Sequence, residues 1–196
     1  MAGEFHGRFY GGLDVPLSEA GRHASLQRAA ELAARPPDRI LSSPLERAAF
    51  LARALAAASG APLQLVDGFI ELDRGAWTGR HREELERESP GVVARYLADP
   101  EHGNGAGGES ESALLQRVWA ALDPLLLQHA GQDLVLVAHA HVLRVIMRRL
   151  CGWDGPQSLQ CFVPLLGVVE AELAPGGTGR LISAPEGIGQ DRILQP

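Results

Sequence analysis

The run Leu134–Ala138, inside DLVLVA, is apolar without interruption. A strand with one wet face alternates apolar and polar residues. An unbroken run of β-formers buries both faces, as in a parallel sheet with helices above and below. Two shorter segments have similar character: Asp38–Leu41 (DRIL) and Leu63–Val66. Between them lie helix patterns. The Ala-rich stretch from Leu17-Ser18 to about Arg35 places Leu26, Ala29, Ala30 and Ala33 at helical spacing, and Pro36-Pro37 stops it. Ser43-Pro44-Leu45-Glu46 predicts a second start, with Ser43 as cap, proline at the first helical position and Glu46 closing a capping box. That helix should run to about Ala58 and end at Ser59-Gly60. The DLVLVA strand passes through His139 into a helix over Val142–Leu150 that ends near Gly152. Strands alternating with helices predict an α/β sandwich with a largely parallel sheet.

The middle of the chain is less regular. ELDRGAWTGR (Glu71–Arg80) reads as loop, followed by a charged helical piece over His81–Glu88 and another after Pro90. Residues 99–108 are rich in glycine and predict a mobile surface loop. Ser110 begins a helix expected to reach about His129 with a distortion at Pro124. A last strand is expected within Val163–Leu173, with a return at Arg180–Ser183 and a loose tail from about residue 184. At 196 residues and 45% hydrophobic content, the chain suits one domain with a proper core.

Composition removes several kinds of chemistry. With 24 acidic against 18 basic residues the net charge is −6, which offers no electrostatic footprint for nucleic acid or an anionic membrane. Every basic residue is arginine, so lysine-dependent phosphate loops, Schiff bases and kinase sites are excluded. Cys151 and Cys161 read as buried thiols of a reducing compartment. Neither opens a Cys-x5-Arg loop, because Gln157 and Gly167 stand where the arginine would be. No secretory leader or membrane-length apolar run is read, so the expectation is a cytoplasmic protein. No G-x-S-x-G elbow supports serine hydrolysis.

Three residues carry the chemical expectation. His139 lies at the junction of a buried strand and its helix, where α/β sheets bind ligands; the alternative is a satisfied interior histidine. Arg47 falls in a helix first turn, where a cation opposes the helix dipole unless an anion is held there; the alternative is an exposed ion pair. Glu71 lies in a glycine-bearing loop after a strand and could pass a proton to a leaving oxygen; the alternative is an ordinary exposed carboxylate. Together they suggest phosphoryl transfer.

The segments LSSPLERA around Arg47, FIELDRGAWTG around Glu71, GGES at Gly107–Ser110 and LVLVAHAHVLR around His139 occur in the order found in the histidine phosphatase superfamily. GRFYGGLDVPLSEAG (Gly7–Gly21) resembles the segment that follows that family's first motif. The resemblance is to the phosphoglycerate-mutase-like branch and covers roughly residues 7–152. It implies a Rossmann-like three-layer sandwich with a mostly parallel sheet flanked by helices. It also implies a two-step reaction through a phosphohistidine, with no cofactor and no metal. By match, Arg47 would clamp phosphate oxygens and His139 would donate to the transferring phosphoryl group. Glu71 would protonate the leaving oxygen and then deprotonate water. The Ala140 N–H would meet the phosphate, and Tyr10 and Gly11 would line the substrate site.

The sequence departs from this pattern at its N-terminus. Family members begin with a strand running into Arg-His-Gly-Glu, whose histidine is the nucleophile, and neither is present here. His6 is a poor substitute, directly abutting GRFYGG. The expectation is a misassigned or truncated start, the first strand being missing from the chain as given; the alternative is an inactive phospholigand-binding member. A metallohydrolase built on His139-Ala140-His141 is a weaker alternative, because no second histidine cluster stands ready to complete a site. The expected partner is a small phosphomonoester, such as a sugar phosphate, phosphoglycerate or α-ribazole phosphate. A homo-oligomer stays open, whereas nucleic acid and membrane are not expected.

Overall fold

The computed structural model describes residues 7–103, 106–161, 164–174 and 178–184. In chain order its strands and α-helices are β1 (Arg8–Phe9), α1 (Glu19–Ala33), β2 (Arg39–Ser42), α2 (Glu46–Ser59) and β3 (Leu63–Leu65). They continue with β4 (Arg80–His81), α3 (Arg82–Glu88), α4 (Val92–Ala98), α5 (Glu111–Gln128), β5 (Leu134–Val137), α6 (Ala140–Cys151), α7 (Gly155–Gln160), β6 (Glu170–Leu173) and β7 (Gly179–Ser183). The expected alternation is present. Absent from the sequence reading are α7 and the two-residue pair β1–β4.

Helix ends follow local chemistry. Ser18 caps α1 by accepting the Gly21 N–H, and Ser110 caps α5 by accepting that of Ala113, both at 3.1 Å. Gly60 ends α2 at φ 75°, a conformation that costs glycine nothing. Pro124 lies inside α5 without ending it.

The start of α2 corrects an expectation. Leu45, not Ser43, occupies the cap position and makes no side-chain cap bond. Asp14 reaches over from the loop after β1 and accepts the Glu46 N–H at 2.8 Å. The Glu46 carboxylate turns to Arg53 instead of closing a box. A carboxylate from outside the helix satisfies the orphan donor better than a neutral hydroxyl.

Strands β3, β2 and β5 form a parallel sheet in that order. Neighbouring residues of β2 face opposite layers. Ile40 packs with Ala29, Leu51, Ala52 and Leu55 of α1 and α2, while Leu41 packs with residues of α5 and α6, including Leu114, Val118, Val142 and Val145. This gives three layers, helix, sheet and helix, as expected of a Rossmann-like sandwich. Fully burying each such aliphatic side chain contributes roughly 1.5–3 kcal/mol.

The edge of β5 is the point where sequence and sheet disagree. Its four residues are only half-buried, although their unbroken apolar run is that of a strand covered on all sides. Among the described residues no strand pairs with β5 on the side away from β2. Strands β6 and β7 pair antiparallel as a separate ribbon. The expected last strand is thus found only over its second half, and Val163 and the tail from residue 185 lie outside the described residues.

Candidate active site

Register brings the site together. Ser42 of β2 pairs with Val137 of β5, and the Ser43 N–H donates to the Val137 carbonyl at 3.0 Å. Both chains therefore leave the sheet side by side. Ser43 follows β2, and His139 stands two residues beyond the end of β5 as the cap residue of α6. His139 Nε2 lies 2.8 Å from Ser43 Oγ, and both residues are buried. Burial pushes the imidazole down to about 4, against the upward pull of Glu71 and with the push of Arg47. His139 is therefore neutral near pH 7. The Ser43 hydroxyl is fully buried, which leaves no approach for an ester carbonyl and argues against serine hydrolysis.

Glu71 reaches the same place from the loop after β3. Its carboxylate accepts the Leu72 N–H at 2.9 Å and the His141 N–H at 3.4 Å, and lies 3.5 Å from His141 Nδ1. Burial alone would raise its proton affinity. The contact with the His141 ring, the charges of His141 and His139, and the Leu72 amide outweigh burial and hold the carboxyl well below the usual range. His141 itself is pushed down, chiefly by burial.

Arg47 sits in the first turn of α2, as expected. Two of its guanidinium nitrogens donate to the Gly11 carbonyl at 2.6 Å and the Leu13 carbonyl at 2.8 Å, and its carbon lies 5.4 Å from the centre of the Tyr10 ring. A guanidinium has five N–H bonds, and these contacts engage only part of the fork. Arg47 senses the charge of Glu71, and His139 senses both. Burial raises the Tyr10 phenol, with Arg47 acting against that rise. Gly11 is built into the site: its φ is 42°, and a β-carbon there would stand 2.3 Å from the Leu72 carbonyl oxygen. Ala140 opens α6, so its N–H is at the positive end of a twelve-residue helix.

Arg47, Glu71, His139, Ala140, Tyr10 and Gly11 thus lie in one neighbourhood. The sequence reading missed four contributors: Ser43 as partner of His139, Asp14 at the start of α2, and the pair Arg74 and His141. His141 was legible only as one member of an HxH pair. The two rings part, one turning to Ser43 and the other to Glu71 and Arg74. Among the described residues, no three His, Cys, Asp or Glu side chains gather as a metal site would require. His6 lies outside the described residues.

A cleft of about 570 Å³ opens beside Glu71, walled by Gly12, Asp73, Gly108, Glu109 and Arg117 among others. Arg117 braces it with a two-point contact to Glu109 at 2.8 and 2.9 Å and with bonds to the Gly68 and Ile70 carbonyls. No helix among the described residues is long and apolar enough to cross a membrane.

The family model for the histidine phosphatase superfamily (branch 1) matches residues 2–181. The chain belongs to this superfamily. Among its phosphatase relatives is phosphoserine phosphatase 1 of Hydrogenobacter thermophilus, 34% identical over 148 residues that cover 76% of this chain and 70% of that protein. Glucosyl-3-phosphoglycerate phosphatase of Mycolicibacterium vanbaalenii is 32% identical over 183 residues, covering 86% and 81%. Solved structures share the fold. Mycobacterial glucosyl-3-phosphoglycerate phosphatase superposes with a TM-score of 0.79 at 23% identity, covering 89% of this chain and 90% of that one. Bacillus stearothermophilus YhfR gives 0.80 at 23% identity, covering 92% and 89%. The matched span of this histidine phosphatase runs through every motif around Arg47, Glu71 and His139.

Proposed function

We propose that the protein is a phosphomonoester phosphatase acting on a small phosphorylated metabolite through a phosphohistidine intermediate, within one histidine-phosphatase-like domain spanning residues 1–196. The observation that carries this reading is the convergence of a guanidinium, a neutral imidazole and a carboxylate at the carboxyl ends of adjoining parallel strands. The names of two relatives agree with it: phosphoserine and glucosyl-3-phosphoglycerate are small monoesters.

In the first step a nitrogen of the family's Arg-His-Gly histidine, which the sequence as given does not contain, attacks phosphorus, and the bond from phosphorus to the ester oxygen breaks. The proton of Glu71 goes to the departing oxygen, leaving an alcohol. In the second step Glu71 takes a proton from water, the water oxygen bonds to phosphorus, and the phosphorus–nitrogen bond breaks to give inorganic phosphate. Without ligand the three contacts to Glu71 hold it ionised. A bound phosphate dianion raises its proton affinity, so the acidic proton arrives with the substrate. Arg47, His139 and the Ala140 N–H supply positive potential to the phosphoryl oxygens as charge spreads in the transition state. Tyr10 and Gly11 form the wall next to Arg47, and the cleft beside Glu71 gives the leaving alcohol room.

A second reading is a phospholigand-binding protein without turnover, favoured by one observation: the sequence contains no Arg-His-Gly. Hydrolysis of p-nitrophenyl phosphate separates the two when assayed with this chain and with a version extended upstream by a strand and that motif. Activity abolished by Glu71→Gln supports the phosphatase. Phosphate binding without turnover in both versions would refute it.

A further inference from the structure

The cleft beside Glu71 adjoins the phosphate side of the site. Gly11 presents its carbonyl to Arg47, and the next residue, Gly12, belongs to the cleft wall. An alcohol departing from phosphorus past Glu71 therefore has this space before it. The walls carry four carboxylates, those of Asp67, Glu71, Asp73 and Glu109, and one guanidinium, that of Arg117.

That guanidinium is committed to the protein. Nε and Nη2 hold the two oxygens of Glu109 at 2.9 and 2.8 Å, and Nη1 donates to the Gly68 and Ile70 carbonyls at 2.9 and 3.0 Å. A guanidinium has five N–H bonds, so little of the fork is left for a ligand. The two-point grip on a carboxylate is the strongest arrangement arginine makes, and Glu109 already holds it. Other arginines of the neighbourhood turn elsewhere: Arg47 to the Gly11 and Leu13 carbonyls, and the buried Arg74 to Tyr96 and His141. Asp67 and Asp73, by contrast, are exposed. Asp73 gives one oxygen to the Gly75 N–H at 2.9 Å and keeps the other as an acceptor.

We propose that the Arg117–Glu109 pair sets the substrate class of this site: the alcohol of the phosphomonoester carries hydroxyl or ammonium donors and no carboxylate. The inference rests on the proposed function, in which the cleft receives the leaving alcohol. A carboxylate there would meet three like charges even with Glu71 protonated, and no donor would repay its lost hydration. A hydroxyl or ammonium finds Asp67 and Asp73 as acceptors. Sugar, polyol and amino-alcohol phosphates therefore suit these walls, and phosphoglycerate is rejected by repulsion.

The test compares glycerol 3-phosphate with 3-phosphoglycerate, which share a skeleton and differ only in a terminal hydroxymethyl against a carboxylate. Calorimetry gives Kd for both, for O-phosphoethanolamine and for inorganic phosphate; where the chain turns a compound over, kcat/KM replaces Kd. Glycerol 3-phosphate should be favoured by roughly tenfold or more over 3-phosphoglycerate, and O-phosphoethanolamine should do at least as well. Glu109→Gln releases Arg117 and removes a like charge, so the preference should fall to roughly threefold or less. Glu83→Gln, exposed on α3, makes the same change in net charge and should leave the preference intact. The wild-type preference should also shrink as salt rises from about 0.02 to about 0.5 M. Equal or tighter binding of 3-phosphoglycerate, or a preference unmoved by Glu109→Gln, would overturn the proposal. If Glu109→Gln fails to fold, the wild-type preference and its salt dependence decide. Binding of inorganic phosphate with no preference among the monoesters overturns this inference alone, whereas no binding by any of the four compounds overturns the proposed function with it.

Discussion

Acidifying the protein from pH 7 to pH 4.5 should expose the cost of keeping His139 neutral. In the unfolded chain a histidine titrates near 6.5, whereas burial among Ser43, Arg47 and the α6 terminus brings it to about 4. A depressed histidine favours folding fully above pH 6.5. Below that, the unfolded state binds a proton the folded state refuses, and stability falls as pH drops toward 4. For those two titration midpoints, linkage gives a loss of roughly 2–3 kcal/mol at pH 4.5. That is a sizeable share of the usual 5–15 kcal/mol of a folded domain. The experiment compares urea unfolding of the wild type and His139→Gln at both pH values. Glutamine cannot titrate, so the variant should lose roughly 2–3 kcal/mol less over the interval, whatever its stability at pH 7. Acid-sensitive groups not coupled to His139 are common to both proteins and cancel in the difference, and Glu71, which senses His139, is held ionised in the folded protein across this interval by its contacts with His141 and the Leu72 amide. Equal losses would show that His139 is not held neutral by its surroundings.

Gly11→Ala should destabilise by about 2 kcal/mol or more, since its β-carbon would overlap the Leu72 carbonyl at a φ that L-residues resist. It should also weaken binding of inorganic phosphate by displacing the carbonyl that orients Arg47; urea midpoints and calorimetry check both. Extending the chain by about ten upstream residues that include an apolar strand should raise the melting temperature by at least roughly 4 °C, by covering the β5 edge; equal midpoints refute it. Activity should survive EDTA in full, which a phosphate-release assay reads directly.

The sheet and its flanking helices were legible because each element announces itself locally. DLVLVA, DRIL and the Ala-rich periods need no distant partner to be recognised. The start of α2 was misread because Ser43 and Glu46 satisfy the capping rule in sequence, whereas Asp14, 32 residues earlier, takes the amide in space. Arg74 was illegible for the same reason. Its partners Phe9, Tyr96 and His141 come from three separate segments, and nothing in ELDRG distinguishes a buried arginine from an exposed one. Helix α7 is short and opens on Gly-Pro, a pair that reads as a turn until the Asp154 and Gln157 side chains are seen to close a capping box.

The site's parts therefore divide by how the fold sets them. Ser43 and His139 are set by register: once Ser42 aligns with Val137, Ser43 emerges beside Ala138 and His139 follows at the next position, and a one-residue slip would turn one strand's side chains to the other face. Glu71 has no such guarantee, because it sits in a loop. Its position is enforced by three contacts, two of them from His141, which α6 carries two residues beyond His139. One helix start thus sets both the imidazole that meets Ser43 and the imidazole that faces the carboxylate. His139 is the extended cap residue and His141 lies in the first turn of α6, so the two rings leave the helix start in different directions and meet different neighbours, Ser43 and Glu71. Loss of either ring should therefore damage the reaction through a different step.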